Sequence, residues 1–279
     1  MMEWKLYHKC WLPQCAPHES PDLSCVMDGS IWRRGGLFAR WTSNFDCPEE
    51  TGWYYIIKDT PFSMEQVNGN ARNRLRKGLK NFTVREIVRK EYAEQVCDIY
   101  LAAFTQYSAT TRPTSSRDEI KAILPRDISM GYRAVGAFSI PDGRLCGFAT
   151  FRKNSTYYDF SELKALPEAE KLNVNAVLVF GRLEAIKEDI ADGIYGCSGE
   201  TNVVHKTAYQ DYLVEKFAFR KVNCHLHLAY NPKIKWMVMA LYPFRRLFKG
   251  WNVRILDLVY AVLKMEEISR HCKKLRGER

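Results

Sequence analysis

The sequence predicts an α/β (α+β) fold, a mixed and mostly antiparallel sheet flanked by helices, with a tryptophan-rich N-terminal extension and helices at the C-terminus. Three observations predict it. Residues 131–230 read in order as hairpin, strand, helix, strand, helix, strand. The first 53 residues hold Trp4, Trp11, Trp32, Trp41 and Trp53. Residues 234–279 carry apolar residues at helical spacing with cations between them.

Each element follows from local pattern. Residues 36–42 and 53–58 read as strands joined by the turn residues 48–52, which predicts a first hairpin. Ala71, Leu75, Leu79 and Phe82 form a narrow apolar stripe on a helix whose remaining surface holds Arg72, Arg74, Arg76, Lys77 and Lys80. Like charges at i,i+4 cost a few tenths of a kcal/mol per pair, so these five cations are candidate anion-binding residues. A strand over 83–88 follows. Residues 131–140 and 144–152, around Pro141-Asp142-Gly143, form a second hairpin, and 155–161 is the next strand of a meander.

From Val174 the period changes to that of a helix: Val174, Val177, Leu178, Gly181, Leu183, Ala185 and Ile186 share a face, with Arg182, Glu184, Lys187 and Glu188 between them. Asp192-Gly193 ends it. A short strand at 194–197, a polar loop at 198–204 and a helix from 205 to 216 come next. A last strand at 219–230 sets Val222, Cys224, Leu226 and Leu228 against a wet face of Lys221, Asn223, His225 and His227. Right-handed crossovers between the later strands put a cleft at the strand ends.

In the tail, a helix over 234–242 breaks at Pro243. A second helix has Ile255, Leu258, Val259, Leu263 and Ile268 on one stripe and ends in Lys264, Arg270, Lys273, Lys274 and Arg276, cations that the helix dipole favours there. Such a segment packs on the core or lies on an anionic membrane surface. The expected organisation is 1–62 as an N-terminal β segment, 63–232 as the core and 233–279 as basic amphipathic helices.

Composition narrows the partners. The 279-residue chain carries a net charge of +10, which favours nucleic acid, nucleotide cofactors or anionic lipid. No apolar run approaches the ~20 residues of a membrane helix, and the N-terminus lacks an apolar signal core. A cytoplasmic protein is expected, peripheral at the inner face of the membrane if the tail binds lipid. Nine cysteines at irregular spacing point to reduced thiols. His8, Cys10, Cys15, His18 and Cys25 are metal-ligand types without the paired short spacings of zinc modules, so no metal is expected.

The segment Arg72-Asn-Arg-Leu-Arg-Lys-Gly-Leu-Lys-Asn-Phe-Thr-Val84 resembles the basic helix-to-strand segment of FemAB-like acyltransferases, a branch of the GNAT superfamily. Residues 200–222 resemble the late helix and final strand of that branch, and the element order over 131–230 is similar to the GNAT core. The resemblance spans roughly residues 36–230 and implies acyl or aminoacyl transfer to an amine. The implied donor is an acyl-CoA thioester or an aminoacyl-tRNA. The implied acceptor is a small molecule or glycan, such as a cell-envelope precursor.

In the superfamily a glycine-rich strand-to-helix turn holds the coenzyme pyrophosphate. The equivalent turn here, residues 167–175, has no glycine and includes Glu168 and Glu170. Lys171, Asn173 and Asn175 remain as donor-binding candidates, Asn173 equally as a helix cap. The position of the superfamily's general-acid tyrosine holds Val214, with Tyr209 and Tyr212 off register, and Ala218 stands where glycine is usual. Amine attack needs a base and an oxyanion donor. Glu200 and His205, in and just after the polar loop, are the candidate bases, and Ser198 and Lys206 the candidate hydrogen-bond donors to the bound donor. The alternative is a catalytically degenerate fold that binds an anionic partner, RNA or a polyanionic glycan.

Overall fold

The structure, a computed structural model, describes residues 4–107, 112–203, 208–249 and 254–277. In chain order, β1 (Trp4–Tyr7) and β2 (Cys10–Pro13) form a hairpin, followed by the single-turn helix α1 (Ser24–Met27), β3 (Phe38–Ser43) and β4 (Tyr54–Lys58). Helix α2 (Gly69–Asn81) runs into β5 (Phe82–Ile87), then α3 (Ala93–Phe104) and α4 (Arg117–Ser129). The meander is β6 (Tyr132–Ser139), β7 (Leu145–Lys153) and β8 (Tyr157–Ala165). Short α5 (Pro167–Glu170) leads to α6 (Val174–Glu184), α7 (Lys187–Ala191) and β9 (Tyr195–Glu200). Helix α8 (Ala208–Phe217), β10 (Arg220–Asn223), β11 (His225–Tyr230), α9 (Pro232–Leu241), a 3-10 stretch (Tyr242–Phe248) and α10 (Arg254–Leu275) complete the chain.

Two compact units result. One gathers residues 1–56, 200–208 and 221–279, the other residues 57–199 and 209–220. The segments expected as a separate beginning and end of the chain therefore fall largely in one unit. Its sheet has the order β1-β2-β3-β11, with β11 antiparallel to β3 over six residue pairs from His225↔Ser43 to Tyr230↔Phe38. Phe38, Trp53, Leu226, Met265 and Ile268 form its core. The seven-stranded sheet has the order β10-β4-β9-β8-β7-β6-β5.

In the second unit, adjacent residues of β7 point to opposite faces and receive different helices. A side chain at Gly147 would meet Leu178 of α6 at 2.9 Å, while Phe148 stacks edge-on to Tyr100 of α3 at 5.2 Å. Helix α6 is apolar almost all round because it is the central helix: Val174, Val177, Leu178, Val179 and Leu183 are all buried.

Two strand expectations are corrected. Residues 36–42 and 53–58 do form strands but not a hairpin, since β3 and β4 belong to different sheets. Left-handed Asn44 (φ 52°) and Asp46 (φ 65°) turn the connection away, and fully buried Trp53 leads into β4. The single strand expected over 219–230 is two strands in two sheets. At the break, the Cys224 N–H donates to the Trp53 carbonyl at 3.0 Å and the Cys224 carbonyl accepts from Thr51 Oγ1 at 2.8 Å. The loop thus satisfies the backbone that a continuous ladder would have used.

The expected wet face of the last strand is corrected too. His225 is buried, and His227 stacks on its cross-strand partner Trp41 at 5.2 Å while bonding Ser43 Oγ of the same strand at 2.6 Å, so β3 engages both histidine positions. In the tail, Leu263 and Ile268 are buried as expected, but Ile255 and Leu258 on the same stripe are exposed.

Candidate active site

The opening in the second unit is set by strand pairing. β8 and β9 run parallel and pair only over Tyr157↔Tyr195, Tyr158↔Gly196 and Asp159↔Cys197. β8 then continues to Ala165 and β9 to Glu200 without partners between them. The two strands part at Asp159. At the same place β8 carries a bulge: Phe160 pairs with Phe151 and Glu162 with Thr150, leaving Ser161 as the extra residue. The Glu162 N–H is taken by Thr150 Oγ1 at 3.1 Å. A bulged residue has no ladder partner, and its backbone N–H is a ready donor for a carbonyl oxygen.

Three polar side chains flank the bulge. Ser161 Oγ donates to Asp159 Oδ2 at 3.3 Å. Asp159 keeps 36 % of its side-chain surface open to solvent and lies 4.0 Å from Arg152. The protein around it still pushes its carboxyl above the usual aspartate value, burial outweighing the pull of Arg152. On the far side, Glu162 Oε2 accepts from Tyr100 Oη at 2.5 Å and Arg89 Nη1 at 3.1 Å. Arg89 is buried and clamped by both oxygens of Asp127 at 2.7 and 2.8 Å. Both bonds to Glu162 fall on Oε2 and neither on Oε1, so the network orients a carboxylate that remains 38 % exposed.

The other face of β8 holds a buried cation. Arg182 of α6 is 1 % exposed, its guanidinium 3.9 Å from the Phe160 ring centroid, and Nη2 donates to Tyr209 Oη on α8 at 3.0 Å. Its Nε finds no acceptor among the described residues. Tyr209 stacks with Tyr212, whose phenol burial drives upward. Phe160 reaches this layer because β9 has Gly196 opposite, where any Cβ would meet the ring at 2.3 Å.

The glycine-free turn is closed by its own side chains. Glu168 pairs with Arg144 at 3.1 Å, and Glu170 accepts from Gln106 at 3.2 Å and Asn175 at 3.3 Å. Lys171 is exposed. Asn173 holds the N-cap position of α6 in a left-handed conformation (φ 68°), but its side chain makes no capping bond, which corrects the expected cap. The basic helix meets this turn: a Cβ on Gly78 of α2 would lie 2.6 Å from Val177 Cγ2 and 2.9 Å from the Asn173 carbonyl. The structure thus brings α2 beside the donor-binding candidates. Arg74, Arg76, Lys77 and Lys80 are exposed on it, while Arg72 is half-buried and donates to the Val67 carbonyl at 3.3 Å.

Ala218, where the resemblance expects glycine, has φ 53°, a conformation that costs alanine roughly 1–2 kcal/mol. Its carbonyl accepts from buried Lys58, which also donates to Thr60 and Gln66, so all three ammonium hydrogens are matched.

The remaining sequence candidates are dispersed. Ser198 is half-buried on β9 in the second unit. Glu200 falls in the first unit, where Arg40 donates to its carboxylate and lies over the Trp53 ring at 4.8 Å. Although 29 % of the Glu200 side chain meets solvent, burial pushes its carboxyl up against the pull of Arg40. His205 and Lys206 lie outside the described residues. Among the described residues, Cys47, Glu49 and His225 place ligand atoms within 4.8 Å of one another, a grouping that does not include His8, Cys10, Cys15, His18 or Cys25.

Sequence reasoning missed Asp159, Ser161, Glu162 and Arg89. The strand over 155–161 was legible, but nothing local marks a bulge. Arg182 had a signal, a lone cation in the apolar run of residues 174–186, read there as the polar face.

No protein-family profile matches the chain, and no curated protein matches it in sequence. Solved structures match in fold. The C-terminal domain of a candidate lysylphosphatidylglycerol synthetase from Agrobacterium fabrum gives a TM-score of 0.53 at 11 % identity, covering 86 % of this chain and 83 % of that one. A conserved protein of unknown function from Bacteroides thetaiotaomicron gives 0.52 at 11 % identity, covering 77 % and 78 %. L-PGS from Bacillus licheniformis gives 0.49 at 11 % identity, covering 94 % and 85 %. At such identities the likeness is one of fold, a mixed and mostly antiparallel sheet flanked by helices.

Proposed function

We propose that the chain is an N-acyltransferase that moves an acyl or aminoacyl group to an amine in the opening between β8 and β9. The observation that carries this reading is the coincidence of the strand parting at Asp159 with the bulge at Ser161. The backbone N–H at the bulge polarises the donor carbonyl and then holds the oxyanion. Asp159 takes the proton of the attacking amine. The amine nitrogen bonds to the carbonyl carbon, the bond to the donor sulfur or oxygen breaks, and the leaving group takes up a proton, for which Tyr209, bonded to Arg182, is the candidate acid.

The donor's phosphates lie along α2 and Lys171 instead of on a glycine turn, because Glu168 and Glu170 occupy that turn with their own partners. This favours a FemAB-type donor, an aminoacyl-tRNA or a bulky acyl-CoA, over plain acetyl-CoA. The acceptor is a small molecule or glycan amine of a cell-envelope precursor. Glu200 is the second candidate base, and it acts only once its pair with Arg40 opens.

A panel of acyl-CoA thioesters and aminoacyl-tRNAs tests the reading by thermal shift and turnover. A binding donor raises the melting temperature, and Asp159→Asn lowers turnover by about 100-fold or more with the donor still bound. If Glu200→Gln abolishes turnover and Asp159→Asn does not, the base is Glu200. If no donor binds while RNA or a polyanionic glycan does, the fold is a binding module.

A further inference from the structure

In the first unit, the strand β11 and the helices α9 and α10 enclose an open groove of about 760 Å³. Leu228, Ala229 and Met239 contribute apolar lining, while Lys235, Arg270, Lys273 and Lys274 ring it with positive charge. Its one carboxylate, Glu266, is already engaged by Tyr230 Oη at 2.8 Å and Arg270 Nε at 2.7 Å. Lys235, Lys273 and Lys274 are exposed and form no ion pair among the described residues. Three unanswered cations over an apolar floor suit an anionic group that carries hydrocarbon.

The helix that lines the groove also presents an apolar stripe to solvent. Trp236 is 75 % exposed and Met237 54 %, with Lys233 and Ala240 on the same face at helical spacing. Phe244 and Leu247 continue the exposed apolar surface into the 3-10 stretch, where Arg246 and Lys249 are exposed beside them. Exposed aromatics flanked by cations are what a bilayer interface accepts: rings sit at the headgroup level and cations reach the phosphates.

We propose that this face docks on a membrane containing anionic phospholipid, with a lipid phosphate in the groove and Trp236, Met237 and Phe244 in the interface. Charge complementarity selects this occupant. A second copy related by a two-fold axis would set like charges against each other. Single-stranded nucleic acid would stack on Trp236 and Phe244 but would gain nothing from the exposed aliphatic surface of Met237, Met239 and Leu247 beside them, which hydrocarbon covers. The inference is independent of the transfer chemistry, so either can fail alone.

Flotation of the full chain with phosphatidylcholine vesicles, with and without phosphatidylglycerol, tests it. Binding is expected only to the anionic vesicles and weakens with salt. Lys273→Glu and Lys274→Glu each weaken it by about fivefold or more, and Trp236→Ser weakens it while leaving the melting temperature unchanged. Binding to neither vesicle overturns the proposal. So does inorganic phosphate protecting the chain thermally while vesicles are ignored, which would make the groove a site for a soluble phosphate. A concentration-dependent dimer abolished by Trp236→Ser, with no flotation, assigns the face to a second copy and also overturns it.

Discussion

Asp159 is exposed enough to meet a substrate and buried enough to hold its proton above the usual value of 3.8. Its folded value is raised, so as pH falls the folded chain takes up this proton before the unfolded chain does. Stability from this group therefore grows as pH falls through the raised value, is complete below 3.8, and disappears again as pH rises. Asp159→Asn is expected to be more stable than the parent chain at neutral pH, with the gap closing as acid is added. Urea melts across the pH range check it, and a variant weakened equally at every pH would assign Asp159 a structural role instead. Arg182 illustrates the opposite arrangement at the same strand: a cation with no solvent, kept by a ring face and one phenol.

At the scale of elements, the decisive contact is α2 against the start of α6. Gly78 allows it, because a Cβ there would press on Val177 and on the Asn173 carbonyl, which is backbone and cannot swing aside. Helix propensity alone makes Gly→Ala favourable by about 1 kcal/mol. Overpacking here is expected to reverse the sign, so that Gly78→Ala loses about 1–3 kcal/mol in denaturant unfolding. A stabilised variant would mean that α2 does not touch the turn. The stripe of Ala71, Leu75 and Phe82 was legible in the sequence by its spacing, as was the meander by its turn residues. The close approach was not, since glycine in a helix reads locally as a weak position and not as a contact.

For the whole molecule, a charge of +10 is distributed so that the basic helix α2 lies in one unit and the basic groove of α9 and α10 in the other. The two are separable by mutation. Reversing Arg76 and Lys77, both exposed, is expected to change stability by no more than about 0.5 kcal/mol. Affinity for a tRNA-borne or polyanionic ligand should fall, and the salt dependence should become shallower by about one unit of slope for each phosphate no longer neutralised. Titrations over a range of salt concentrations measure this. An unchanged slope would make α2 a solvated face. No described helix is long and apolar enough to cross a membrane.

The order of strands and main helices over residues 131–217, the charge of α2 and the apolar character of α6 were determined by the sequence itself, because spacing, turn residues and composition act within a few residues of one another. The β1–β2 hairpin and the helices α3 and α4 were not read from it. Only the tertiary structure decided which strands pair. It split residues 219–230 between two sheets, separated β3 from β4, bulged β8 at Ser161 and parted it from β9 beyond Asp159. Those outcomes depend on backbone groups satisfied by partners far along the chain, as Cys224 is by Thr51 and Trp53, and no local pattern encodes which distant group will answer.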